Sequence, residues 1–189
     1  MHICGGIWTW RARIHSTHLP SNPIQEEGEL GYVLSHSYGA ALDNPNLLVI
    51  SVVGDGEAET GPLATSWHLN KFINPQRDGI VLPVLLLNDY KINNPPLLSR
   101  IEEEEPLSLF KGYSYEPRLV ATEEDIMQAH QYMAEAMSWA VERMLEIKGT
   151  AKKSDFSIRP HYPMVILDSS YRKALSPDFR RAFAPEPTS

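Results

Sequence analysis

The sequence predicts an α/β fold, a mostly parallel sheet flanked by helices, on three observations. Short continuous apolar runs recur along the chain, helical stretches separate them, and a glycine-rich turn follows the first run directly. The runs are residues 47–53 (LLVISVV), 80–87 (IVLPVLLL) and 163–167 (PMVIL). Each is of strand length and rich in β-branched residues, which suits strands buried on both faces. A parallel neighbour must be reached by a crossover, and the stretches between the runs are long enough to supply helices.

Taken in order, residues 1–14 form an N-terminal segment with two tryptophans and no clear periodicity. Residues 29–42, with small side chains for close packing, predict the first helix, and residues 63–72 the next. Inside the second apolar run, Pro83 removes one ladder donor. Residues 101–110 read as a helix interrupted by Pro106, and 118–120 as a weak strand. The clearest helix covers 123–147, where Ile126, His130, Met133, Met137, Val141 and Met144 recur at three- and four-residue spacing behind a Thr122/Asp125 capping pattern. Residues 15–168 therefore read as one domain, and 169–189, basic and proline-bearing, as a disordered tail.

Composition narrows the function. A chain of 189 residues with 42% hydrophobic content can bury one sizeable core. Acidic residues outnumber basic ones 24 to 17, a net charge of −7 that argues against nucleic acid or an anionic membrane as partner. Cys4 is the single cysteine, so an intrachain disulfide is impossible. No apolar run reaches the length of a membrane span, and the reading is of a soluble, cytoplasmic protein.

Chemistry concentrates in Gly54-Asp55-Gly56-Glu57-Ala58-Glu59-Thr60-Gly61, straight after a strand and before a helix. Ligands of open α/β sheets bind at the carboxyl ends of strands. Glycines beside a carboxylate allow a sharp turn and a close phosphate approach, while Asp55 offers a hard oxygen to Mg²⁺. Taken alone, the turn reads equally well as an acidic helix cap. The next strand, however, ends directly at Asn88-Asp89-Tyr90-Lys91-Ile92. The Asn88 amide oxygen and the Tyr90 backbone carbonyl would add two more oxygens, leaving octahedral positions for diphosphate and water.

These motifs, with Gly28-Glu29-Leu30-Gly31-Tyr32, VVGDGEAETGPLATSWH at 52–68, NKF at 70–72, YKI at 90–92 and PMVIL at 163–167, resemble the phosphoketolases. The resemblance covers residues 15–167. It implies a partial thiamine diphosphate-binding fold of the diphosphate-domain type. It further implies an aldehyde-lyase that uses thiamine diphosphate and Mg²⁺ to split xylulose 5-phosphate or fructose 6-phosphate with inorganic phosphate, giving acetyl phosphate. Carried over by motif, Asp55, Asn88 and the Tyr90 carbonyl match the metal ligands, and Gly28, Gly56 and Glu57 match positions at the cofactor. His15 matches an active-site histidine, although residues 8–13 lack the glycine-rich approach expected there. Glu27 and Asp89 stand where the family has glycine, each adding a side chain and a negative charge beside the diphosphate.

The resemblance also implies what this chain does not contain. The glutamate that assists thiamine belongs to a pyrimidine-binding domain, supplied elsewhere or by a second subunit of a homo-oligomer, so independent activity is not expected. Two alternatives stay open: a non-catalytic interaction module, favoured by Glu27 and Asp89, and a split transketolase-like subunit, disfavoured by the GEAETGP extension. The other polar residues have plainer readings. His36 and His68 read as packed or half-exposed, His130 as part of the helical stripe, and residues 102–105 as a solvated helix start.

Overall fold

Three apolar runs do become strands, and they lie side by side in one sheet. The computed structural model describes residues 7–11, 23–25, 31–88, 96–101, 104–121, 126–153 and 159–169. Its strands are β1 (Ile7–Arg11), β2 (Pro23–Gln25), β3 (Leu47–Gly54), β4 (Ile80–Leu87), β5 (Tyr115–Ala121) and β6 (Tyr162–Asp168). They form a single sheet in the order β2-β1-β3-β4-β6-β5. The four strands β3, β4, β6 and β5 are parallel, and β1, paired on its far side with β2, joins β3 antiparallel with Ile7 opposite Ser51 and Arg11 opposite Leu47.

β4 is buried along residues 80–85, as its unbroken apolar run predicts. β3 differs from the expectation of burial on both faces: Val49, Ser51 and Val53 are buried while Ile50 and Val52 between them are half-buried. Its pleat turns alternate side chains to opposite faces, and one face is less fully covered. Pro83 sits within β4 without breaking it. Pairing with β6 begins at Val84, so the missing N–H lies ahead of that ladder.

The helices are α1 (Val33–Ala41), α2 (Asp55–Ala58), α3 (Gly61–Ser66), α4 (Glu105–Gly112) and α5 (Ile126–Ala151), with a 3₁₀ segment at Trp67–Phe72. α1 packs on β3 and β4, and α5 on β5 and β6. The helix expected over 63–72 is thus two pieces, α3 tightening into the 3₁₀ segment. Pro106 does not interrupt a helix; it occupies the first turn of α4, where its missing N–H has no intrahelical partner to lose. The weak strand at 118–120 is the middle of the seven-residue β5.

α5 carries the largest correction. Its buried positions are Ala136, Ala140, Met144, Ile147 and Ala151, while His130 and Val141 are exposed. Met144 of the expected stripe is buried and Met133 and Met137 pack half-buried against the core, so the stripe holds in part; the buried alanines at 136, 140 and 151 extend the packed face beyond it. His36 is exposed as well, stacked on the Tyr32 ring at 6.1 Å between centroids.

The core joins both halves of the sheet. Trp67 lies edge-on to Phe110 (4.9 Å) and Tyr115 (6.0 Å), and the Tyr38 and Tyr115 hydroxyls are hydrogen-bonded at 2.8 Å. No helix among the described residues is long and apolar enough to cross a membrane.

Candidate functional site at the carboxyl ends of two parallel strands

β3 and β4 end level with one another, Gly54 standing beside Leu86 in the parallel register. The chain leaves β3 through an extended Gly54 and turns at once into the short helix α2. Asp55, the first residue of that turn, is 2% exposed. One carboxylate oxygen, Oδ1, accepts the Gly56 N–H at 2.7 Å, and Oδ2 accepts the Asn88 N–H at 3.0 Å across the gap between the strand ends. The two residues singled out from the sequence as metal ligands are therefore brought together, with the Asn88 side chain on the exposed side of the contact.

Glu57 points elsewhere. It is 5% exposed, and its Oε1 accepts the Gly31 N–H at 3.0 Å. Gly31 has φ +101°, a backbone conformation that favours glycine, and a Cβ on it would press to 3.3 Å from the Pro62 ring. The second oxygen, Oε2, is buried with no hydrogen-bond partner among the described residues. Burial pushes the Glu57 carboxyl up, while the N–H groups of Gly31 and Gly54 pull it back down.

The turn is anchored from beneath and behind. The Trp67 indole N–H donates to the Ala58 carbonyl at 3.2 Å, and the Thr60 hydroxyl donates to the Glu57 carbonyl at 2.6 Å. Glu59 accepts the Leu97 N–H. Gly56 is half-buried beside Asp55.

Sequence reasoning missed two residues here. Gly31 was legible only as part of a motif, not as the partner of Glu57. Asp168 closes β6 in register with Leu87 and is 7% exposed, adding a buried carboxylate to the same edge of the sheet. The signal for it was the single acidic residue ending the PMVIL run. His68, by contrast, is exposed and meets the edge of Tyr113 at 4.8 Å, away from the turn's hydrogen bonds. His15, Gly28 and Tyr90 lie outside the described residues, as do Glu27 and Asp89.

The chemistry of the donor set suits a hard dication. Among the described residues no three His, Cys, Asp or Glu side chains converge on a point, so a cation here would rest on the Asp55 carboxylate with amide and carbonyl oxygens. That mixture, completed by ligand oxygens and water, is the one Mg²⁺ takes.

Comparison with known proteins extends these observations. The model of the XFP N-terminal domain matches residues 7–182, which includes β1 at one end. A probable phosphoketolase of Synechocystis is 55% identical over 153 residues, 81% of this chain and 19% of that protein. One from Methylococcus capsulatus is 54% identical over 155 residues, and one from Mesorhizobium japonicum 56% over 148. The chain spans 19% of the length of the first of these relatives.

Proposed function

The chain belongs to the phosphoketolase family, and on that premise we propose that it forms the part of such an enzyme that holds Mg²⁺ and the diphosphate of thiamine diphosphate. Asp55, Asn88 and the backbone carbonyl of Tyr90 would ligate the metal, Gly28, Gly56 and Glu57 would line the diphosphate, and His15 would face the substrate. Bound there, thiamine diphosphate supplies the carbon nucleophile and electron sink that cleavage of a ketose phosphate needs. The reaction of the whole enzyme is then carbon–carbon cleavage of xylulose 5-phosphate or fructose 6-phosphate with inorganic phosphate, giving acetyl phosphate and a shorter aldose phosphate, in the cytoplasm.

This chain's own contribution is binding and orientation. Asp55 fixes one metal position by its attachment to the Asn88 backbone, so the two strand ends cannot separate without losing that bond. The remaining wall, a pyrimidine-binding domain, would come from elsewhere in the enzyme or from a second subunit of a homo-oligomer. The observation that carries the reading is the 3.0 Å contact between Asp55 Oδ2 and the Asn88 N–H at the ends of adjacent parallel strands.

Titration calorimetry of the 189-residue chain with Mg²⁺ and inorganic pyrophosphate, which needs only this half of the site, tests it. Pyrophosphate binding that depends on Mg²⁺ and disappears in Asp55→Ala is the expected result. Binding indifferent to Mg²⁺ or to Asp55, or no binding at all, would overturn the reading.

A further inference from the structure

The turn after β3 carries carboxylates at alternate positions, Asp55, Glu57 and Glu59, and each accepts a backbone N–H from a different part of the chain: Asn88, Gly31 and Leu97. Helix geometry explains the division. At 3.6 residues per turn, a side chain two positions on points about 200° away and one four positions on returns to within about 40°. Asp55 and Glu59 therefore face one side and take N–H groups that both follow β4, while Glu57 faces the other and takes the one that precedes α1.

Resting on the Mg²⁺–diphosphate reading above, we infer that Glu57 and Glu59 are positioning residues. With Asp55 they make residues 55–59 a hub that holds the backbone at Gly31, Asn88 and Leu97 in register around the metal turn. Neither Glu57 nor Glu59 touches the metal; Glu57 lines the diphosphate through its backbone while its carboxylate holds Gly31, and Glu59 holds Leu97. Stability alone is a poor account of Glu57. Burial takes solvation from its carboxylate, and among the described residues Oε2 has no hydrogen-bond partner to restore it. What the arrangement does provide is a fixed distance between Gly31 and Asp55.

The test uses the 189-residue chain and two readouts, amide hydrogen exchange at Gly31 and Leu97 and affinity for Mg²⁺ with pyrophosphate. In Glu57→Ala the Gly31 amide should exchange faster and the affinity should fall about tenfold or more, the range seen when residues supporting metal ligands are removed. Glu57→Gln keeps an acceptor oxygen and should restore both. Glu59→Ala should release Leu97 and leave Gly31 protected. The hub is refuted if Glu57→Ala leaves Gly31 protected, if it frees Gly31 with no change in affinity, or if the folded Glu57→Gln chain behaves like Glu57→Ala. Should the unaltered chain take no Mg²⁺ and pyrophosphate, the Mg²⁺–diphosphate reading falls, and exchange at Gly31 and Leu97 alone decides the hub.

Discussion

Asp78 and Glu57 are buried carboxylates at opposite edges of the same sheet, and they are held in different ways. Asp78, ahead of β4 at the amino edge, is 1% exposed; its Oδ1 accepts the Asp43 N–H at 2.9 Å and its Oδ2 the Asn74 N–H at 2.8 Å. Its own carbonyl takes the Lys148 ammonium, which also donates to the Pro45 carbonyl at 2.6 Å. Around it everything is closed: a Cβ on Gly79 would meet the Leu47 carbonyl oxygen at 2.6 Å. At the carboxyl edge Glu57 is nearly as buried, yet its Oε2 has no hydrogen-bond partner among the described residues. Asp78 is fully used in tying backbone together and Glu57 is not; the contrast lies between these two carboxylates, since Asn70 Oδ1 at the amino edge is itself buried without a partner among the described residues.

Three perturbations sharpen that contrast. Asp78→Ala should be the most damaging, because it strands two N–H groups at the amino edge. At 1–3 kcal/mol for each unsatisfied donor the loss is about 4 kcal/mol, read as a fall in the urea midpoint, with pyrophosphate binding by the folded fraction unchanged. Equal loss of binding would mean that the two edges are not independent. Gly79→Ala should cost about 2 kcal/mol through overpacking against backbone that cannot yield, measured in the same way.

The smallest effect is a pH dependence that also belongs to the amino edge. Burial, and then Lys152, push the Lys148 ammonium down to about 8, against the pull of Asp78. Between about 8 and the ordinary lysine value the unfolded chain binds a proton that the folded chain has released, so stability rises with pH in that window. Tyr38, Tyr115 and Tyr162 act in the reverse sense, chiefly because burial raises all three. Above pH 10 the unfolded chain gives up phenol protons that the folded chain keeps, and stability falls. Urea midpoints should therefore pass through a maximum near pH 9 to 10, and Lys148→Met should shrink the rise to what Lys71, also pushed down by burial, contributes, while leaving the fall. A rise undiminished in Lys148→Met would assign it to another group.

The parallel core and the turn after β3 were legible in the sequence because each is written locally. An apolar run reports a buried strand by composition, and a glycine-flanked aspartate at its end reports a turn. β1 was not legible, since a short antiparallel strand depends on which partners it finds, here β3 and β2. The packed face of α5 was read only in part, at Met133, Met137 and Met144, because larger side chains dominate a periodic pattern and the buried Ala136, Ala140 and Ala151 do not stand out in it. The partners of Glu57, Glu59 and Asp78 escaped for a common reason: each is a backbone N–H, and a backbone donor leaves no trace in residue identity. The partners of Glu57 and Asp55 lie 26 and 33 residues away.

The strand order has a consequence for how the molecule is made. β6 is the last strand of the sheet in sequence, yet it sits between β4 and β5. Until residues 162–168 have left the ribosome, β4 and β5 have no common neighbour, and each exposes an unpaired edge able to recruit another chain. Synthesis that pauses just before residue 162 would leave a nascent protein with the turn after β3 already formed and its sheet still in two parts. Chaperone capture, or aggregation in its absence, should therefore peak over the interval in which α5 has emerged and β6 has not.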